Sequence, residues 1–268
     1  YFTFKYLTYI YLIKMANHCL PLVSIIIPTY NRFDCLLNAL DSAKNQTYEN
    51  TEIIVVNDRS TQEEYYNYDY SGCTVVHLDK NSKARFGHAS PGGYQRNVGM
   101  NLGTGVYYAF LDDDDYWMPD KIEKQVAGLL ENPGAKMSCT DAYWGKGAFL
   151  PMNISKYVLY NKQKYFNTLK SIYKRKEKEH LFPYAETGGF PKLWTAEFVN
   201  THNCLIASSV MIEASVVKTV GDFTNKLWAP DHEYWKRILN EGGDNITCLY
   251  LDEPLLYYDG GHGGGQNY

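Results

Sequence analysis

The chain has 268 residues, 45% of them hydrophobic and 21% charged, with a formal net charge of −4. That is enough chain for a sizeable core in one elaborated domain or two small ones, and the slightly acidic balance excludes wholesale wrapping of nucleic acid. Six cysteines (Cys19, Cys35, Cys73, Cys139, Cys204, Cys248) are scattered without a CxxC pair, which argues against a cysteine zinc site and favours reduced thiols in a cytoplasmic setting.

In chain order, Tyr1 to Lys14 is aromatic and apolar but too short for a spanning helix of about 20 residues. No small-residue cleavage site follows it. A surface-packed tail is the plain expectation, and a membrane-contacting segment is the alternative. Met15 is a candidate start, with the first fourteen residues an upstream extension. Leu22 to Ile27 is a continuous β-branched run ending at Pro28, as a buried parallel strand would be. Asn31 is placed to cap a helix over about Phe33 to Asn45. Glu52 to Val56 and Thr74 to Leu78 read as further buried strands, the first ending at Asn57-Asp58. A helix is expected over Gln95 to Leu102, stopped by Gly103 to Gly105. Val106 to Leu111 is a fourth strand that runs into Asp112-Asp113-Asp114-Asp115, and Pro119 to Leu130 is the next helix.

After Ala142 the pattern loosens, and residues rich in Tyr, Lys and Phe suggest a partly helical insertion. Strand character returns over Cys204 to Ile212, a helix follows Asp231, and a last strand lies near Thr247 to Leu251. The expected divisions are an N-terminal extension (1–19), a first half (20–142), an insertion (143–203), a second half (204–259) and a glycine-rich tail (260–268). Alternating strands and helices predict an α/β layer around a mainly parallel sheet, whose ligands sit beyond the carboxyl ends of the strands.

Three of those ends carry useful chemistry. Four adjacent carboxylates repel one another, and a hard divalent cation, Mn²⁺ or Mg²⁺, relieves them while taking further oxygens from a substrate phosphate. The plainer reading is a solvated acidic turn. Asp58 is placed to accept from a nucleobase imide or a ribose hydroxyl, or else to form an Asx-turn with Arg59-Ser60-Thr61. Arg96 is placed to donate to a base carbonyl or phosphate, or else to make a surface salt bridge. Gly92-Gly93 before it permit close backbone approach.

The segments PLVSIIIPTYNR, TEIIVVNDRST, QRNVGMNLGTGVYYAFLDDDDYWMPDKIEKQ and VGDFTNKLWAPDHEYWKRIL, in this order and spacing, resemble the family-two inverting glycosyltransferases of GT-A fold. The likeness covers about Leu20 to Leu130 well and Cys204 to Tyr258 more loosely. It implies a Rossmann-like GT-A sheet, and a nucleotide pocket lined by Pro28, Thr29 and Tyr30. Asp58 would then meet the base, and Arg96 would sit beside the base or diphosphate. Asp112 and Asp114 are the outer letters of a DxD signature, with Asp112 or Asp113 on the ribose and Asp114 on the metal; four aspartates in a row leave two registers open. Asp231 matches the catalytic base. Pro230 stands where the family usually has an acidic residue, which makes Glu233 a second candidate base. His262, His232 and His202 are candidates to complete a metal shell, and Trp194, Trp228 and Trp235 to stack on sugar.

The implied partners are a nucleotide-diphospho-sugar donor, UDP-sugar foremost, and a saccharide, lipid or protein hydroxyl acceptor. A nucleotidyltransferase also uses an acidic cluster with Mg²⁺, but it would want a basic glycine-rich loop where PTYNRFD supplies only Arg32. A non-enzymatic carbohydrate-binding module leaves the acidic cluster unexplained.

Overall fold

The structure is a computed structural model that describes residues 20–88, 92–175, 189–225, 230–243 and 245–261. Tyr1 to Lys14, Trp228 and His262, each singled out above, lie outside the described residues.

Strands β1 (Val23–Thr29), β2 (Thr51–Asn57), β3 (Cys73–His77) and β4 (Tyr107–Phe110) form a parallel half-sheet in the order β3-β2-β1-β4. β1 is buried at every position, so it needs no alternation of apolar and polar residues. Its side chains still part to two faces. Val23, Ile25 and Ile27 enter one core with Leu36 and Leu40 of helix α1 (Phe33–Lys44), and Ile26 enters a second core with Phe110. Helix α2 (Gly93–Leu102) lies so close over β1 that a Cβ on Gly99 would stand 2.4 Å from Ile26 Cγ2. A side chain there would push the helix off the strand it covers.

Next come β5 (Tyr116–Trp117), helix α3 (Lys121–Glu131) and the long strand β6 (Ala135–Gly145). The sequence reading gives no strand at β6, because Lys136, Ser138, Thr140 and Asp141 interrupt its apolar pattern. The interruption is affordable because Ser138, Thr140 and Asp141 are buried with hydrogen-bond partners. The later strands and longer helices are β7 (Val158–Leu159), α4 (Phe166–Arg175), β8 (Leu193–Trp194), β9 (Met211–Glu213), α5 (Pro230–Glu241) and β10 (Thr247–Asp259). β9 sits antiparallel between β4 and β6, and β10 runs parallel to β6. The longest pairings are therefore parallel, and the expected helix-flanked α/β sheet is present.

Three local expectations change. Cys204 to Ile212 is strand only at its end, since Ala207–Ser209 turns as a 3-10 helix. The last strand does not stop at Leu251: its pairing with β6 shifts around exposed Asp252 and Glu253, resumes at Pro254 and continues to Asp259. Such an irregularity re-aims a strand without ending it. Trp235 and Trp194 are both fully buried in the second core, so neither presents a face to a sugar.

Candidate functional site

The ends of β1 and β2 are laced together. Asp58 N–H donates to the Thr29 carbonyl at 2.9 Å, and the Thr29 hydroxyl lies 2.7 Å from the Tyr65 hydroxyl. That phenol also accepts the Arg32 N–H at 2.9 Å. Asn31 does not cap α1. It is left-handed (φ 49°), and its side chain accepts the Thr61 N–H at 2.7 Å, a use that Asn tolerates well. Pro28 and Thr29 are buried and Tyr30 is half-buried, so Tyr30 has the most side-chain surface of the three.

Asp58 is fully buried, and both its oxygens accept the Ser82 N–H at 3.0 Å, which fixes the start of the short helix Ser82–Phe86. At the same strand end Asn57 Oδ1 takes the Ser60 N–H, three residues on, at 2.9 Å.

The aspartate run turns tightly after β4, with Asp115 N–H donating to the Asp112 carbonyl at 3.1 Å. Its first member is held from two sides: Asp112 N–H donates to Ser208 Oγ at 2.9 Å, and the Asp112 carboxylate pairs with the buried Arg96 guanidinium. Arg96 is therefore no surface ion pair. Gly92 (φ 73°) makes room for it, since a Cβ there would come within 2.6 Å of Arg96 Nη1. Arg32 binds the next two aspartates, with Nη2 2.6 Å from Asp113 Oδ1 and Nη1 2.6 Å from Asp114 Oδ2.

Two guanidiniums do not balance four carboxylates. Burial, opposed by Arg32 but reinforced by Asp114, pushes the Asp113 carboxyl up to about 7. Burial and the neighbouring aspartates carry Asp115 well above the usual carboxylate range. Asp114 is raised as well, again by burial first. On Arg32, burial works to lower the pKa, and Asp113, Asp114 and Asp112 outweigh it. Removing one partner of a buried pair of this kind costs about 3–5 kcal/mol, so Arg32 serves the fold as well as the site.

Among the described residues no three His, Cys, Asp or Glu side chains converge as a protein-only metal cage. Asp112 and Asp114 keep 31% and 11% of their side-chain surface, whereas Asp113 keeps none. One or two partly exposed carboxylates beside an unbalanced negative cluster suit a hard cation that takes its other ligands from water and phosphate.

Asp231 lies in the first turn of α5. The Tyr160 and Tyr258 rings meet edge to face at 5.5 Å. The Tyr160 phenol is raised by burial, with Cys204 and Asp231 adding to it. The Tyr258 phenol is raised by burial and then by Asp115, Tyr160, Asp112 and Asp114. The paired Tyr160 and Tyr258 rings thus feel the charge of Asp231 and of the aspartate turn, respectively.

Glu233 is occupied otherwise. It accepts from Thr224 Oγ1 at 3.1 Å and pairs with Arg237 Nε at 3.3 Å, and Arg237 in turn donates to the Asp222 carbonyl at 2.6 Å. This cluster ties the loop after Val220 to α5. His232 Nε2 lies 3.0 Å from the Val199 carbonyl, and His202 is buried, which lowers its pKa.

Sequence reasoning missed Arg32, Ser208 and Asp259. Asp259 N–H donates to Asp115 Oδ1 at 2.9 Å, so the end of β10 closes the acidic turn. Charge balance offered one signal: a carboxylate cluster calls for cations, and Arg32 lies one strand end away. Nothing in the local sequence marks Ser208 or Asp259.

The profile of the family described as glycosyl transferase family 2 matches residues 24–188. The chain belongs to that family. It is 29% identical over 241 residues to an uncharacterized glycosyltransferase of Rickettsia typhi, covering 88% of this chain and 63% of the relative. It is 34% identical over 110 residues to WfaP of Escherichia coli, a UDP-Glc:alpha-D-GlcNAc-diphosphoundecaprenol beta-1,3-glucosyltransferase, covering 40% of this chain and 41% of WfaP. A crystal structure of Staphylococcus aureus TarS 1-349 with UDP-GlcNAc superposes with a TM-score of 0.60 at 20% identity, over 92% of this chain and 61% of TarS 1-349. The chain thus spans less than two thirds of the length of each of these relatives. The TarS likeness concerns the fold.

Proposed function

We propose that the protein is a metal-dependent glycosyltransferase that moves a sugar from a nucleotide diphosphate, UDP-sugar foremost, to a saccharide, lipid or protein hydroxyl with inversion. The observation that carries this reading is the convergence of Tyr30, Asp58, Arg96 and the aspartate turn at the carboxyl ends of adjacent strands, in a chain of this family. UDP is favoured because WfaP is named for UDP-Glc and TarS has been crystallised with UDP-GlcNAc.

In this reading residues 20–142 are the donor half and 204–259 the acceptor half. Pro28, Thr29 and Tyr30 line the nucleotide, Asp58 meets the base, and Asp112 or Asp113 meets the ribose. The full burial of Asp113 favours Asp112. Arg96 orients Asp112 beside the diphosphate. Mn²⁺ or Mg²⁺ held by Asp114 would supply Lewis-acid neutralisation of the leaving diphosphate. Asp231 takes the proton from the acceptor hydroxyl as it attacks, and a single displacement inverts the anomeric carbon. Among the described residues no helix is long and apolar enough to cross a membrane; a cytoplasmic setting is part of this proposal.

The nucleotide half is tested at Asp58. Because the side chain is buried on the Ser82 N–H, Asp58→Asn is the informative change: it keeps the volume and one oxygen. Losing a charge-assisted hydrogen bond of about 1.5–3 kcal/mol should weaken UDP binding at least about tenfold by calorimetry. An unchanged dissociation constant in a folded variant returns Asp58 to a purely structural role.

A further inference from the structure

Residues 143–175 contain six lysines and one arginine and no Asp or Glu, in a chain of net charge −4. Within the same stretch Leu150, Met152, Ile154 and Val158 are exposed, Met152 at 86%. Water-facing apolar side chains grouped on one short turn, Pro151–Lys156, with its flanking residues are unusual on a soluble surface. Cations accompany them: Lys146, Lys156 and Lys164 are exposed, and among the described residues none has a carboxylate within ion-pair distance. Lys164 stands 3.4 Å over the ring of Trp144, which is two residues from Lys146 in the chain.

This surface adjoins the site. Phe149 stacks on Tyr116, the residue after the aspartate run, at 4.8 Å, and Tyr157 meets Tyr257 at 4.7 Å. β7, which follows the apolar turn, is an antiparallel edge on the end of β6. The apolar turn is thus tied by aromatic contacts to β5, which starts right after the aspartate run, and to β10, whose end at Asp259 bonds Asp115.

We propose that this turn and its lysines are a docking surface for an anionic lipid bilayer, set beside the mouth of the active site. Leu150, Met152, Ile154 and Val158 enter the headgroup layer while the lysines meet lipid phosphates, the combination that holds interfacial segments on membranes. A soluble polyanion would be served by the charges alone and would leave the apolar residues in water. Docking needs no turnover, so it stands or falls separately from the transferase reading.

The test is flotation of the full chain with vesicles of equal parts phosphatidylcholine and phosphatidylglycerol, compared with phosphatidylcholine alone. The protein should float with the anionic vesicles and not with the neutral ones. Binding should fade as salt shortens the screening length from about 10 Å at 0.1 M to about 3 Å at 1 M. Leu150→Ser with Met152→Ser, and separately Lys146→Gln with Lys156→Gln and Lys164→Gln, should each lower the bound fraction about tenfold or more, with UDP affinity unchanged. The proposal is overturned by absence of flotation, by equal binding to neutral vesicles, by full binding in both variants, or by retention on heparin without vesicle binding. Because the parent protein alone gives the lipid and salt dependence, a variant that fails to fold leaves the test decisive.

Discussion

Asp231→Asn is expected to lower turnover by about 10²–10⁴-fold, the usual contribution of a general base, with donor affinity unchanged. The amide keeps the shape of the side chain in the first turn of α5 and removes only its capacity to take a proton. In the proposed reaction Asp231, in the first turn of α5, acts on the acceptor and not on the donor. The rival, Glu233, is engaged by Thr224 and Arg237, and on a helix it points about 200° away from position 231. Glu233→Gln should therefore leave turnover near the parent value and instead lower the melting temperature by a few degrees, as the Arg237 clasp on the loop loosens. Loss of turnover in Glu233→Gln with full turnover in Asp231→Asn would move the base by two residues.

Asp114→Ala should reduce transfer by about 10³-fold or more, corresponding to several kcal/mol of lost charge stabilisation on the leaving diphosphate. EDTA should do the same to the parent, and added Mn²⁺ should rescue the parent and not the variant. Arg32 makes the variant informative. With Asp114 gone its guanidinium still has Asp113 at 2.6 Å, so the loops should hold and the loss should be read as chemistry. Undiminished transfer in rigorously metal-free buffer would show that Arg32 and Arg96 neutralise the diphosphate without a cation.

The parallel half of the fold was open to sequence reading for a physical reason. Strands covered on both faces, such as VSIIIPT and TEIIVVN, are unbroken apolar runs that end abruptly in polar residues. The ends of those runs also carry the candidate site, so Asp58 and Asp112 to Asp115 could be found together. The other half of the sheet hid itself. β6 buries Ser138, Thr140 and Asp141, and Ser138 and Asp141 are matched in part by residues from other elements, Gln125 and Asn161. Ser208 and Asp259 hold the acidic turn through a backbone N–H or a hydroxyl supplied by late elements of the chain, and no local pattern announces such long-range contacts. Arg32 was visible as a residue but not as a partner, because a charge cluster shows its need for cations and not their address.

The central claim is sugar transfer from a nucleotide diphosphate, and identifying the nucleotide product tests it most directly. The protein is incubated with UDP-, GDP- and dTDP-sugars, Mn²⁺ and a panel of hydroxyl acceptors, and the products are resolved by chromatography. The account predicts nucleoside diphosphate release, most strongly from a UDP-sugar, that needs the metal and rises with acceptor. Absence of nucleoside diphosphate from every donor would contradict it, as would pyrophosphate-driven formation of nucleoside triphosphate and sugar 1-phosphate.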